Sequence, residues 1–332
     1  MSPIRIGLTR ALLGALLLCQ PVLGVPGVAK VLPQACASST SSAPTARTAA
    51  TAATICNGRA EYCTRSYSNV TFMGSHDSAF VGELPQQNQN IDIKAQLDMG
   101  IRFLQAQTHH SITDDKVLEL CHTSCWLEDA GTLKSFLGTV KGWLDDNVNE
   151  VVTLLLTNGD SVAISEFGDT FSSSGIDSYA FVPSSSPNTL PFDSWPTIGD
   201  LISSGKRLVV FLDYGADATK VDYILNEFDY YFETPYDVTD PSFSNCSINR
   251  PPGASASGRM YIVNHFLDVD ILGILIPDRD HASITNAATG VGSLGAQAAE
   301  CEALYNHAPN AMLADFVDKG DVIAAQNAQN GF

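Results

Sequence analysis

The sequence predicts an α/β fold, a distorted (β/α)8 TIM barrel, and three observations predict it. Short continuous apolar runs alternate with amphipathic helical patterns. Several of those runs end in a cluster of polar residues. The alternation fills one stretch of domain size with no second linker inside it. A doubly wound open sheet is the alternative, but no Gly-x-Gly-x-x-Gly follows a strand, so a dinucleotide site has no support.

Residues 1–24 read as a secretory signal: Arg5 and Arg10 make a basic start, Ala11 to Leu18 is an apolar run, and Pro21 breaks it before Val22-Leu23-Gly24. That run is far shorter than the roughly 20 residues a membrane span needs. Residues 25–55 read as a linker, in which Ala37 to Thr54 holds only Ala, Ser, Thr and Pro apart from Arg47, a composition that cannot bury a core and resembles an O-glycosylated stalk. The barrel domain is expected over residues 56–332. Its strands are predicted at Val70 to Gly74, Ile101 to Gln107, Val117 to Cys121, Val151 to Leu156, Leu208 to Leu212, Met260 to Val263 and Ala311 to Ala314. Helices are predicted at Ile91 to Met99, Thr132 to Asp145, Ala218 to Phe228 and Leu294 to Tyr305.

Composition narrows the function. Of 332 residues 45% are hydrophobic, enough for a large core, so disorder of the whole chain is excluded. The 18 Lys+Arg stand against 36 Asp+Glu, a net charge of −18. Such a deficit of cations excludes a nucleic-acid binder and argues against loading onto anionic membranes by charge. With the signal removed seven cysteines remain, and an oxidising compartment favours the bridges Cys56–Cys63, Cys121–Cys125 and Cys246–Cys301 with Cys36 left over. Asn69-Val70-Thr71 and Asn245-Cys246-Ser247 have the form of glycosylation acceptors. The chain is expected to be a secreted, extracellular monomer with no transmembrane segment and at most transient membrane contact.

Catalytic residues of such a barrel lie just past the C-terminal ends of its strands. There the sequence places His76 and Asp77, then Gln105, Gln107 and His109, then His122, Asn158, Asp213, His265 and finally Asp315. Closure brings the last strand beside the first, which sets Asp315 near His76; Asp77 then serves His122 across the mouth. Two histidines, each held by a carboxylate, suit a displacement at phosphorus, where one proton leaves the attacking hydroxyl and another reaches the leaving alkoxide.

Gly74-Ser75-His76-Asp77-Ser78, Gly100-Ile101-Arg102-Phe103-Leu104 and Glu119-Leu120-Cys121-His122 resemble the X region of phosphatidylinositol-specific phospholipase C, and Val151 to Leu156 and Leu313-Ala314-Asp315-Phe316 extend the likeness over about Ser68 to Val317. The secreted fungal phospholipase-C-like phosphodiesterases resemble it most. The resemblance implies a distorted TIM barrel with His76 as general base, His122 as general acid, Asp315 orienting His76 and Asp77 paired with His122. It implies a phospholipid or soluble phosphodiester as substrate: a phosphoinositide, a GPI anchor or a glycerophosphodiester.

The departures fall on the phosphate. Where bacterial members of that family carry an Arg and eukaryotic members carry Ca²⁺ ligands, this chain has Gln105-Ala106-Gln107, and strand four ends in Thr157. No metal and no cofactor is therefore expected. Strand parity makes His109 a substitute source of positive charge; Gln105, Gln107, His109, Asn158, Asp213 and His265 are the expected substrate-binding set. Zinc binding by Cys121-His122-Thr123-Ser124-Cys125 loses to a disulfide beside His122. Two further readings compete with the hydrolase: a catalytically attenuated binding protein built on the same rim, and a glycosidase barrel pairing Asp77 with Asp213 or Asp315.

Overall fold

A computed structural model of the chain describes residues 54–332. The signal, nearly all of the linker and Cys36 lie outside the described residues. In chain order the elements are β1 (Phe72–Ser75), α1 (Ile93–Met99), β2 (Phe103–His110), β3 (Leu118–Cys121), β4 (Asp129–Thr132), α2 (Leu133–Asp146), β5 (Val152–Asn158), α3 (Ile164–Ser174), α4 (Ile198–Ser203) and β6 (Leu208–Leu212). There follow β7 (Ile224–Asn226), α5 (Glu227–Tyr230), β8 (Tyr231–Glu233), β9 (Met260–Asn264), β10 (Asp268–Ile271), β11 (Ile274–Pro277), α6 (Ala282–Thr285), α7 (Leu294–Tyr305), β12 (Ala311–Ala314) and α8 (Val322–Gln329).

Eight strands lie parallel in the order β7-β6-β5-β2-β1-β12-β9-β8, so the last long crossover returns β12 to the side of β1. The sheet curls into a barrel of the expected type but stays open between β7 and β8, which do not pair. Along each strand the period of two sends alternate side chains to opposite faces. Phe72, Phe103, Leu155, Phe211, Tyr231, Ile262 and Leu313 fill the lumen together with Tyr67 and Trp195. Met73, Leu104, Leu154, Val210, Tyr261 and Met312 face outward and pack against the helices.

Local signals set the helix ends. Asp92 caps α1 by accepting from the Ala95 N–H at 2.8 Å, and α1 stops at Gly100, whose φ of 114° suits glycine alone. Thr132 caps α2 in the same way, and Leu133, Phe136, Leu137, Val140 and Leu144 recur on its buried face. The disulfides are Cys56–Cys63, Cys121–Cys125 and Cys246–Cys301.

Two assignments are corrected. Leu118–Cys121 is a strand, but it runs antiparallel to β2 and extends past the barrel as an arm completed by β4. Hydropathy marks a half-buried strand and not the direction of its partner. The helix expected at Ala218 to Phe228 is replaced by β7 and a single turn of α5, because Ile224 and Leu225 are each buried, one on either side of the sheet. Among the described residues no helix is long and apolar enough to cross a membrane.

Candidate active site

The parity that buries Phe72 in the lumen also turns Gly74 and then His76 inward. Gly74 is required by close approach: a Cβ there would lie 2.5 Å from Leu313 Cδ2 and 2.9 Å from the Phe103 carbonyl. Past β1 the chain turns sharply, with Asp77 at a φ of 43°, a left-handed conformation that Asp tolerates better than most residues. The Asp77 N–H donates to Gln105 Oε1 at 2.7 Å, and the Gln105 N–H donates to Ser78 Oγ at 3.0 Å, so the turn is tied to β2 at both ends.

Four side chains meet there. His76 Nδ1 lies 2.9 Å from Asp315 Oδ1, which also accepts from Asn88 Nδ2 at 3.1 Å. That leaves His76 Nε2 toward the pocket, 3.6 Å from Asp77 Oδ2. The same Asp77 oxygen is 3.2 Å from His122 Nε2 and accepts from Gln107 Nε2 at 2.9 Å. Asp77 is thus a buried carboxylate shared by two imidazoles. Gln107 in turn accepts from the Thr123 N–H at 3.0 Å, and the Cys121–Cys125 bridge closes the loop around His122. Burial alone would lower the pKa of His76, but the charges of Asp77 and Asp315 and the Asp315 hydrogen bond outweigh it and raise it to about 9.

These groups open into a pocket of about 480 Å³ lined by Gln105, Gln107 and Asp213, and also by Glu233, Arg250 and Asp268. Arg250 is its permanent cation. It grips Glu233 with two hydrogen bonds of 2.9 Å, from Nε and Nη2. Burial lowers the Arg250 pKa, but Glu233 and Glu227 overcome that and raise it. Beside the pair Glu227 is fully buried, and burial first, then the charge of Glu233 and a hydrogen bond to it, push it well above the carboxylate range. Asp213 accepts from the Asn158 and Tyr214 N–H groups, each at 2.7 Å, yet burial still raises it to about 6.

Three expected site residues are elsewhere. His109 sits where β2 has passed the end of β5 and pairs with the arm; its Nδ1 meets Asp160 at 3.0 Å outside the pocket. Asn158 faces the other side of β5, where its amide holds the Val162 and Tyr214 carbonyls. His265 is fully buried between Gln297 Oε1 at 2.6 Å and the Thr285 carbonyl at 2.8 Å, and burial drives its pKa down to about 4. Sequence reasoning missed Arg250, Asn88 and Asp268. Parity at the strand ends points to Asn264 in place of His265 and to Thr157 in place of Asn158; nothing local in the sequence marks Arg250.

Gln105, Gln107 and Thr157 are all neutral, and both glutamine carbonyls are occupied by backbone N–H groups, so this set does not fit a hard divalent cation. Among the described residues the one cluster with metal-ligand spacing is Glu119 with Cys121 and Cys125, whose sulfurs are joined to each other.

Comparison with known proteins is consistent across sequence and structure. The PI-PLC X 1 family profile matches residues 62–330. A "PI-PLC X domain-containing protein 1" of Arthroderma benhamiae is 52% identical over 278 residues, covering 83% of this chain and 90% of the relative. An "uncharacterized secreted protein" of the same fungus is 44% identical over 276 residues, 80% of this chain and 61% of that longer relative. In structure, a mutant of phosphatidylinositol-specific phospholipase C from Staphylococcus aureus superposes with a TM-score of 0.56 at 15% identity, covering 80% of this chain and 94% of the other. The Listeria monocytogenes enzyme gives 0.54 at 14%, covering 81% and 96%.

Proposed function

The chain belongs to the PI-PLC X domain family, and from that premise we propose that it is a secreted phosphoric diester hydrolase of the phospholipase-C-like type, independent of metal and cofactor. One observation carries the reading: His76 and His122 converge on Asp77 at the mouth of a pocket, with Asp315 fixing the far nitrogen of His76. In the fraction that has lost its Nε2 proton, which grows as the medium approaches pH 9, His76 takes the proton of the attacking hydroxyl, and His122 protonates the leaving alkoxide. Asp315 holds the tautomer of His76 and Asp77 offsets positive charge on either ring.

The substrate class is a phosphoinositide, a GPI anchor or a soluble glycerophosphodiester. A lipid diester is favoured by the β10–β11 hairpin, which shares Asp268, Leu275 and Pro277 with the pocket while Ile271, Leu272 and Ile274 stand exposed at its tip. Arg250 and Asp213 line the same cavity as candidates for contacting hydroxyls on the retained group. Secretion is supported by the three disulfides and by the relative named as secreted.

A screen of purified protein against phosphatidylinositol, a GPI-anchored protein and glycerophosphoinositol tests the reading. Cleavage of one of them, lost in both His76→Ala and His122→Ala and unaffected by EGTA, is the expected result. A second reading, an attenuated binding protein, is favoured by the neutral Gln105 and Gln107; substrate binding without cleavage would select it. The glycosidase reading has less support, since Asp77 is buried beneath both imidazoles. Retention of activity in both histidine variants would revive it.

A further inference from the structure

Two carboxyls of the pocket, Asp237 and Asp268, have no side-chain partner among the described residues, and of the two Asp268 is the one acted on by both His76 and His122. Asp268, the first residue of β10, lines the catalytic cavity and also the cavity of about 340 Å³ behind the hairpin. Its backbone is fixed, since its N–H donates to the Val238 carbonyl at 2.8 Å, and Phe266, two residues earlier, stacks on His76. Its carboxyl makes no ion pair with any described residue. The charged groups acting on it are His76 after β1, His122 after β3, Asp315 after β12 and Asp237 after β8. On the other side of the hairpin Asp278 is already paired with His281 at 2.7 Å. Burial first, and then Asp315 and Asp237, raise Asp268 to about 7 in spite of the two histidines.

A phosphodiester anion seated between His76 and His122 would share one cavity with this carboxyl. We propose that Asp268 is a substrate-contacting residue that sets the affinity of the site for phosphate: protonated, it donates its O–H to a non-bridging phosphoryl oxygen, and ionised, it repels that oxygen. The proposal rests on the reading of the pocket as a phosphodiester site. It adds a neutral donor to the charges of His76 and Arg250 on the side of the pocket where the other groups are carboxylates. A neutral carboxylic acid is a hydrogen-bond donor, as an amide is, and carries no opposing charge. Its range is set by proton concentration: affinity falls as the medium passes from acid through neutrality.

The test is the affinity for dimethyl phosphate, a non-titrating monoanion that is not a substrate, measured by calorimetric or NMR titration at pH 5.5, 7 and 8.5. The wild-type protein is expected to lose binding across this range. Asp268→Asn, a permanent donor without charge, is expected to bind about tenfold more tightly than wild type at pH 8.5. Asp268→Glu keeps the carboxyl and is expected to keep the decline, which guards against a fold defect in the Asn variant. Wild-type binding that does not change with pH, an Asn variant that declines as wild type does, or no binding in any variant overturns the proposal. Binding with this pH dependence but without diester cleavage in the screen above leaves it standing and defeats the hydrolase reading alone.

Discussion

His76 lies flat against Phe266, with ring centroids 3.6 Å apart and planes within 4° of each other. Asp315 fixes one ring nitrogen, and the Phe266 ring fixes the plane in which the other can point. Phe266→Ala is expected to cost about 3–5 kcal/mol in stability, as deletion of a buried ring does. Phe266→Leu fills most of the volume but offers no flat face, so it is expected to melt near wild type while losing about 10²-fold in rate. Paired melting and turnover measurements check this; equal losses in both for the Leu variant would refute a positioning role.

Asp77 serves both histidines from a buried position, so Asp77→Asn removes charge from two proton-transfer groups at once. The amide can still accept from Gln107, and the turn is held by backbone contacts, so the fold is expected to persist. Activity is expected to fall by about 10²–10⁴-fold. The His76 pKa is expected to move down from about 9 toward the ordinary histidine range, since Asp77 is the foremost of the charges that raise it. NMR titration of the imidazole reads this directly, and an unmoved pKa would contradict the shared-carboxylate geometry.

Folding stability is expected to fall as the medium becomes alkaline. The folded pKa of His76, about 9, lies above its ordinary value of 6.5, so its contribution is fully present below pH 6.5 and is lost as pH rises through about 9. The shift corresponds to about 3 kcal/mol as an upper figure. Asp268 has the same sign but an earlier window: its contribution is present below pH 3.8 and is lost as pH rises to about 7, so the decline above pH 8 belongs to His76. Melting temperature measured at pH 6, 8 and 10 is expected to decline steadily, and less steeply in His76→Gln. A melting temperature that rises across this range would refute the assignment.

Arg250 and Glu233 form the ion pair on the far wall. Arg250→Ala leaves Glu233 buried, without its countercharge and beside Glu227, a loss of about 3–5 kcal/mol for a broken buried pair. Arg250→Lys retains the charge but not the two-pronged grip, so it is expected to fold while binding substrate more weakly. Thermal melts and KM measurements separate these effects; an Arg250→Ala protein as stable as wild type would mean that the pair contributes little.

Six of the eight barrel strands were legible in the sequence, most clearly the apolar runs covered on both sides at Val151 to Leu156 and Leu208 to Leu212. Tyr231–Glu233 was not, being three residues long and cut short by Thr234-Pro235. The helix Ile164–Ser174 hid behind its serines, which favour turns when read alone. At the site, His76, Asp77, His122 and Asp315 were legible from motif and closure together. His265 and Asn158 were misplaced because each sits next to the inward position instead of on it, and a side-chain period of two decides such cases outright. His109 has the inward parity, but its strand has already risen above the rim. Arg250 reaches the pocket through an isolated antiparallel bridge with Glu233, 17 residues earlier in the chain, and neither period nor motif encodes that contact.

The open seam between β7 and β8 has a mechanical meaning. Elsewhere the wall is a ladder of backbone hydrogen bonds; here it is one turn of helix and the single Glu233–Arg250 bridge, beside the buried carboxyl of Glu227, whose pKa burial raises. Amide exchange is therefore expected to be fastest along this edge of the barrel, and slowest in β2 and β5, which share the longest ladder. With that exchange pattern, the wall that bears Arg250 is expected to yield first, widening the pocket on the side away from its histidines.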